Sequence, residues 1–148
     1  MLYMSPLLLT CFIFLGFPTI SQLLLILAVL FMLAIGISGL SIAIAVSTSS
    51  LEKFITARGL VYYTLFFCSS VFYPLSLIEG LGKDGKFPMV LVTLAEVNPL
   101  SGASDMIRSF LLVGYPPFSY ASILNVVVFS AVFTFSAAFA YIKIIERK

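Results

Sequence analysis

Histidine is absent from this chain of 148 residues, and charge is scarce. Without imidazole there is no Ser/His/Asp set and no histidine-based acid–base pair, and zinc and haem lose their usual ligand. Two cysteines, Cys11 and Cys68, each sit in the middle of an apolar run. They read as free thiols acting as small hydrophobes, because a disulfide or metal site would need further ligands. Charged residues make up 9% of the sequence, against about 25% in an ordinary soluble domain. Residues 1–51 carry no charged side chain at all, and the net charge of +2 is too small to suggest nucleic-acid binding. No Asp, Glu, Lys or Arg falls inside a long apolar run. That counts against proton-coupled transport and voltage sensing, and less strongly against an intramembrane hydrolase. A phosphate loop is missing too. Gly80-Leu-Gly-Lys-Asp-Gly85-Lys86-Phe87 comes within one position of G-x-x-x-x-G-K-[ST], but Phe87 has no hydroxyl to ligate magnesium. It reads as a surface turn.

What the chain has instead is long apolar runs, with 61% hydrophobic residues. That composition predicts an all-α, polytopic membrane protein with one transmembrane domain, 1–148. Four transmembrane helices are expected, at about 1–15, 22–46, 59–77 and 119–142. The first is only fifteen residues, roughly 22 Å of helix against a hydrocarbon core of about 30 Å. It reads as the surviving end of a span whose beginning is missing or poorly defined. Gly16-Phe17-Pro18 turns the chain tightly into the second span, with Ser21 expected to cap it, so the first two spans are antiparallel neighbours. The second span is rich in small residues. Gly36, Gly39 and Ala43 are its candidate helix-packing positions, since small residues four apart let helices approach closely in lipid. Packing within the chain is the plainer reading of them, a dimer seam the sharper one. Ser130, Thr134 and Ala138 lie on one face of the last span.

Residues 47–58 read as a short polar loop holding Glu52, Lys53 and Arg58. Lys53 and Arg58, with Lys143, Arg147 and Lys148 of the tail, concentrate positive charge there. The longer 78–118 segment has only Lys83, Lys86 and Arg108 against Glu79, Asp84, Glu96 and Asp105. The positive-inside rule therefore puts the loop and both termini in the cytoplasm and the long segment outside. Tyr3, Tyr62, Tyr63 and Tyr141 then fall at inner ends of spans, and Tyr73, Tyr115 and Tyr120 at outer ends, where amphipathic rings favour the headgroups.

The external segment, 87–114, has the pattern of a helical hairpin, interfacial or re-entrant, between the last two spans. Residues 88–97 form a first helix too short to cross. Asn98 is a good N-cap and Pro99 suits the first position of a second helix. Leu100, Ala103, Ile107, Phe110 and Leu111 make its apolar stripe. Ser101, Ser104, Asp105 and Arg108 form the other face, where an Asp105–Arg108 pair three apart would solvate the helix or shape a gate. Gly114 is placed to end it. Glu96 reads as a solvated carboxylate near the interface.

Taken in order, these pieces resemble the permease subunits of type-2 ATP-binding cassette (ABC) exporters. They are the Gly16-Phe17-Pro18 turn, the small-residue span, Val71-Phe-Tyr-Pro74-Leu-Ser, Val97-Asn98-Pro99-Leu100, Asp105-Met-Ile-Arg108, Gly114 and a last span with a basic tail. That family has six spans, and the likeness covers its last four, which implies that an N-terminal part is missing here. The resemblance implies a transport subunit without enzymatic activity or cofactor of its own. It would form an export pathway as a homo- or heterodimer of permease subunits in the lipid of the cell membrane, driven by a separate cytoplasmic ATPase. Pro74, Asn98, Pro99, Asp105, Arg108 and Gly114 would shape the external lid. Glu52, Lys53 and Arg58 would offer the internal contact for the ATPase. The alternative is a non-transporting membrane scaffold, or an inactive permease fragment, that binds partner helices through its small-residue faces.

Overall fold

The structure, a computed structural model, describes residues 18–112 and 114–145. The expected span at 1–15 lies outside the described residues. Within them the chain is all-helical, with six helices: α1 Ile20–Ser47, α2 Leu51–Phe67, α3 Leu75–Lys83, α4 Met89–Val97, α5 Pro99–Leu111 and α6 Tyr120–Ile145. Two are long and apolar enough to cross a membrane, Ile20–Ser47 and Tyr120–Ile142. Both keep most of their apolar side chains on the outside, including Phe31, Phe135 and Phe139. A soluble core helix would bury these. Outward-facing apolar surface on this scale needs lipid or another protein against it.

α1 begins where the sequence turns polar for a few residues. Thr19, not Ser21, is its cap. The Thr19 hydroxyl accepts from Gln22 N, and the Gln22 side chain accepts from Thr19 N at 2.8 Å, a reciprocal capping box. α1 and α6 then pack side by side and run parallel. Leu33 shares a core with Val126, Gly36 lies against Phe129 and Ser130, and Gly39 against Phe133 and Thr134. The Ser130 hydroxyl donates to the Met32 carbonyl across the seam at 2.7 Å. Gly36 and Gly39 thus serve packing within the chain. Ala43 is half-buried, and on α6 it is Ala137, not Ala138, that turns inward.

α2 differs from expectation at both ends. It starts at Leu51, so most of the expected 47–58 loop is helix, leaving a turn at 48–50. The reason is local: the Ser50 hydroxyl accepts from Lys53 N, and Glu52 sits in the first turn, where the helix dipole favours a negative charge. The expected helix at 59–77 stops at Phe67, and residues 68–74 are non-helical. Tyr62 is accordingly not at the end of a helix. It sits along α2 against α1, with its hydroxyl bonded to Ser41 and to the Ile37 carbonyl.

α3 ends at the glycine-rich near-motif. Gly85 takes φ +70, Lys86 N donates to Leu81 O and Gly85 N donates to Gly82 O. This is the Schellman arrangement of a helix C-terminus. The amides that a phosphate loop would aim at a ligand are spent on the helix's own carbonyls. α4 and α5 meet at an elbow at Asn98, and α5 lies antiparallel to α6. A Cβ on Gly102 would stand 2.5 Å from the Ser122 carbonyl oxygen, which shows how closely the two backbones meet. Leu33, Ala103, Met106 and Val126 form the core where α1, α5 and α6 meet, with Leu100, Phe110 and Phe118 around it.

Candidate functional site

The break at 68–74 exposes backbone groups that a continuous helix would have paired internally. α5 takes them up. The Asn98 side chain does two things at once. Its Oδ1 accepts from Leu100 N at 2.9 Å, capping α5, and its Nδ2 donates to the carbonyls of Leu65 at 2.7 Å and Cys68 at 3.0 Å. Ser70 N donates to the Ser101 hydroxyl at 2.8 Å. Two turns further along α5, Arg108 Nη2 donates to the Val71 carbonyl at 2.6 Å, and Nη1 pairs with Asp105 Oδ1 at 3.2 Å. The same carboxylate oxygen accepts from the Tyr115 hydroxyl at 3.3 Å and the Ser70 hydroxyl at 3.4 Å.

The side of α5 expected to face water is therefore the side it turns inward. Ser101 is 1% exposed and Asp105 7%. The Asp105–Arg108 pair is no solvated surface pair. Its side chains retain only 10% and 19% of their exposure. The apolar stripe misleads because α5 is sandwiched. One flank meets α1 and α6, and the polar flank meets broken backbone that no periodicity reveals. Ser69 and Ser70, both buried, are the available signal. Two adjacent serines inside an apolar run mark where a helix can stop and find side-chain partners.

Burial pushes the Asp105 carboxyl above its ordinary value of 3.8, and the Arg108 charge with the hydrogen bonds from Arg108, Tyr115 and Ser70 opposes this without cancelling it. Burial first, then the Asp105 charge, also raises the Tyr115 phenol. Because the native carboxyl holds its proton more tightly than the unfolded one, this group favours the native state at low pH. The advantage is lost as pH rises from about 3.8 through the raised native value. The expected result is a difference in melting temperature between the wild type and Asp105→Asn that shifts against the wild type over that window. Thermal unfolding in detergent at a series of pH values measures it. Parallel curves would mean that Asp105 is solvated.

The remaining candidates are placed less centrally. Pro74 caps α3 from outside the cluster, its carbonyl accepting from Leu77 N at 3.0 Å. Pro99 is buried at the first position of α5. Gly114 does not end α5, whose C-cap is Leu112. It holds φ +83 in the following turn, closed by Tyr115 N donating to Leu112 O at 3.2 Å. That turn brings Tyr115 back over Asp105. Glu52, Lys53 and Arg58 are exposed along the first half of α2. Arg58 lies over the Tyr62 ring at 5.1 Å. Among the described residues no group of acidic, cysteine or histidine side chains could hold a metal ion. No protein-family model, curated protein or solved structure matches this chain.

Proposed function

We propose that the chain is the membrane-spanning permease subunit of an ATP-driven exporter of the type-2 ABC class. It works as a dimer with a separate cytoplasmic ATPase. The observation that carries this reading is the tie between α5 and the break after α2. Asn98, Ser101 and Arg108 hold residues 65–71 through their backbone. An outer lid needs such a tie, because hairpin and broken span can then move only together.

Depth supports the same scheme. Tyr120 and Tyr141 bracket about 31 Å of α6, close to the thickness of a hydrocarbon core. The hairpin tip reaches well inside that bracket. Val97 and Pro99 line a cavity with Val128, Phe129, Val132 and Phe133, and Val128 lies about 12 Å inward of Tyr120 along α6. In the bilayer α4–α5 is then re-entrant. Its irregular tip is tolerated at depth because it is covered by protein. Parallel α1 and α6 also demand that the chain return between them. α2 supplies about 25 Å of that return and the tied break the rest, a third crossing. In this reading there are four crossings in all, with both termini in the cytoplasm. The scaffold alternative is less well supported, because Gly36 and Gly39, the smallest residues of the face it requires, are already spent on α6.

The test is purification of the full chain from its native membrane in mild detergent. An ATPase subunit is expected in the complex. Recovery with copies of itself or unrelated membrane proteins alone would refute the exporter reading.

A further inference from the structure

The break after α2 also builds a cavity that the tie to α5 does not use. Its volume is about 420 Å³, and it lies between residues 67–73 and α3. Four of its lining side chains are aromatic: Phe67, Phe72, Tyr73 and Phe87. α3 contributes Leu77, Ile78 and Leu81. The remaining lining residue, Ser69, is buried and so lies innermost. Its hydroxyl donates to the Phe66 carbonyl at 2.6 Å and accepts from Val71 N at 3.4 Å. Its one donor hydrogen is therefore spent inside the chain, and none of the lining residues is charged.

The walls are in place before anything binds. Ser70 N is bonded to Ser101 and the Val71 carbonyl to Arg108, which fixes the backbone that carries Phe72. The Pro74 carbonyl accepts from Leu77 N and Ile78 N, and Phe87 N donates to Leu81 O at 3.1 Å, which holds Phe87 at the end of α3. The Phe72 ring stacks on Phe67 at 6.5 Å between centroids, with planes 24° apart, and meets Phe66 edge-to-face at 5.0 Å. It nevertheless keeps 57% of its exposure, so the aromatic cluster is unfinished where it lines the cavity. A cation is drawn to ring faces. Here it would give up its water against Leu77, Ile78 and Leu81, with no carboxylate in the lining to compensate. An acyl chain would gain from area alone, whereas a further ring gains stacking as well.

We propose that this cavity is a binding site for small uncharged aromatic compounds, which extend the ring cluster of Phe67 and Phe72. An apolar cavity of about 150 Å³ holds one benzene, so the volume suits a compound of about two or three rings. The proposal does not depend on the exporter reading.

The test uses the full chain in phosphatidylcholine nanodiscs with benzophenone, an uncharged two-ring ketone that bonds to nearby C–H groups under near-ultraviolet light. Concentrations are set as mole fractions in the lipid, and adducts are mapped by mass spectrometry. Saturable labelling within residues 67–87 is expected. Excess biphenyl should displace it, and neither dodecane nor benzyltrimethylammonium should. Leu81→Trp fills the cavity and should reduce the labelling about tenfold or more. Ala34→Trp, in the groove between α1 and α6, should leave it unchanged. Phe72→Leu keeps an apolar side chain and removes the ring, and should raise the biphenyl midpoint about threefold or more. This variant decides the matter should Leu81→Trp fail to fold. Absence of saturable labelling within 67–87, or a biphenyl midpoint unchanged by Phe72→Leu, overturns the proposal. Displacement by dodecane as effective as by biphenyl would make the cavity an acyl-chain cleft, and equal displacement by benzyltrimethylammonium a cation site. Either result refutes the assignment to uncharged aromatics. None of these results bears on the exporter reading, which is decided by the co-purifying ATPase.

Discussion

Arg108→Ala should destabilise the protein by about 3 kcal/mol, more than Asp105→Asn at the other end of the same pair. Breaking a buried ion pair costs roughly 3–5 kcal/mol because the remaining charge stays desolvated. The low end applies here, since the two side chains keep 19% and 10% of their exposure. The asymmetry comes from what each partner leaves behind. Without Arg108, the Asp105 carboxylate is stranded and the Val71 carbonyl loses a charged donor at 2.6 Å. Without the Asp105 charge, Arg108 still holds Val71, and the amide oxygen that Asp105→Asn introduces can still accept from Tyr115 and Ser70. The Arg108→Ala defect should also ease in acid, because protonation removes the charge that has lost its partner. A double variant, Asp105→Asn with Arg108→Ala, should cost less than the two single changes added together. Thermal unfolding in detergent at neutral and acidic pH measures all three. If Asp105→Asn costs as much as Arg108→Ala, or if acid brings no relief, the pair is not a buried clamp. If the exporter proposal holds, Arg108→Glu should be inactive in an export assay while still reaching the membrane, since the long apolar helices are untouched.

The parts of this molecule that answer to chain-local physics are readable from the sequence. α1 and α6 follow from unbroken apolar runs. The α4–α5 elbow follows from Asn98-Pro99, because a cap and a fixed φ act within a turn. The site is readable in its members but not in its arrangement. Asp105 and Arg108 stand out in a chain with so few charges, yet their spacing says only that they can meet each other. Their third partner, the Val71 carbonyl, is a backbone group whose availability depends on α2 stopping at Phe67. That stop depends in turn on side chains some thirty positions further on, Asn98 and Ser101. Periodicity inside one helix carries no record of such a loan. The early start of α2 escapes for the opposite reason. Its signals, Ser50 and Glu52, are local, but polarity reads as loop where it is a helix N-terminus.

Gly39→Leu should separate α1 from α6 and loosen everything built on them. A Cβ at this position would stand 2.6 Å from both the carbonyl carbon and the carbonyl oxygen of Phe133, and 2.9 Å from Thr134 N. These are backbone atoms in the middle of a helix, so no side chain can swing aside and one helix must move. Even Gly39→Ala should cost about 1–3 kcal/mol as overpacking, partly offset by roughly 1 kcal/mol of helix propensity. Gly36→Ala should cost less, because what it meets is the Phe129 ring at 2.7 Å and the Ser130 hydroxyl at 2.9 Å, which can rotate. Gly59→Ala, with nothing within 4 Å of its Cβ, should be neutral or stabilising. The consequence for the α5 cluster distinguishes this from a general loss of stability. Ala103 is 2% exposed because α5 is wedged into the junction of α1 and α6. With Cys11 and Cys68 replaced by Ala, Ala103→Cys should resist a membrane-permeant maleimide in an otherwise unchanged chain and react in the Gly39→Leu chain. Ser76→Cys, on the exposed face of α3, should react equally in both. Protection of Ala103→Cys in the presence of Gly39→Leu would mean that α5 is held by the tie to residues 65–71 alone. The parallel helix pair would then be a neighbour of α5 and not its footing.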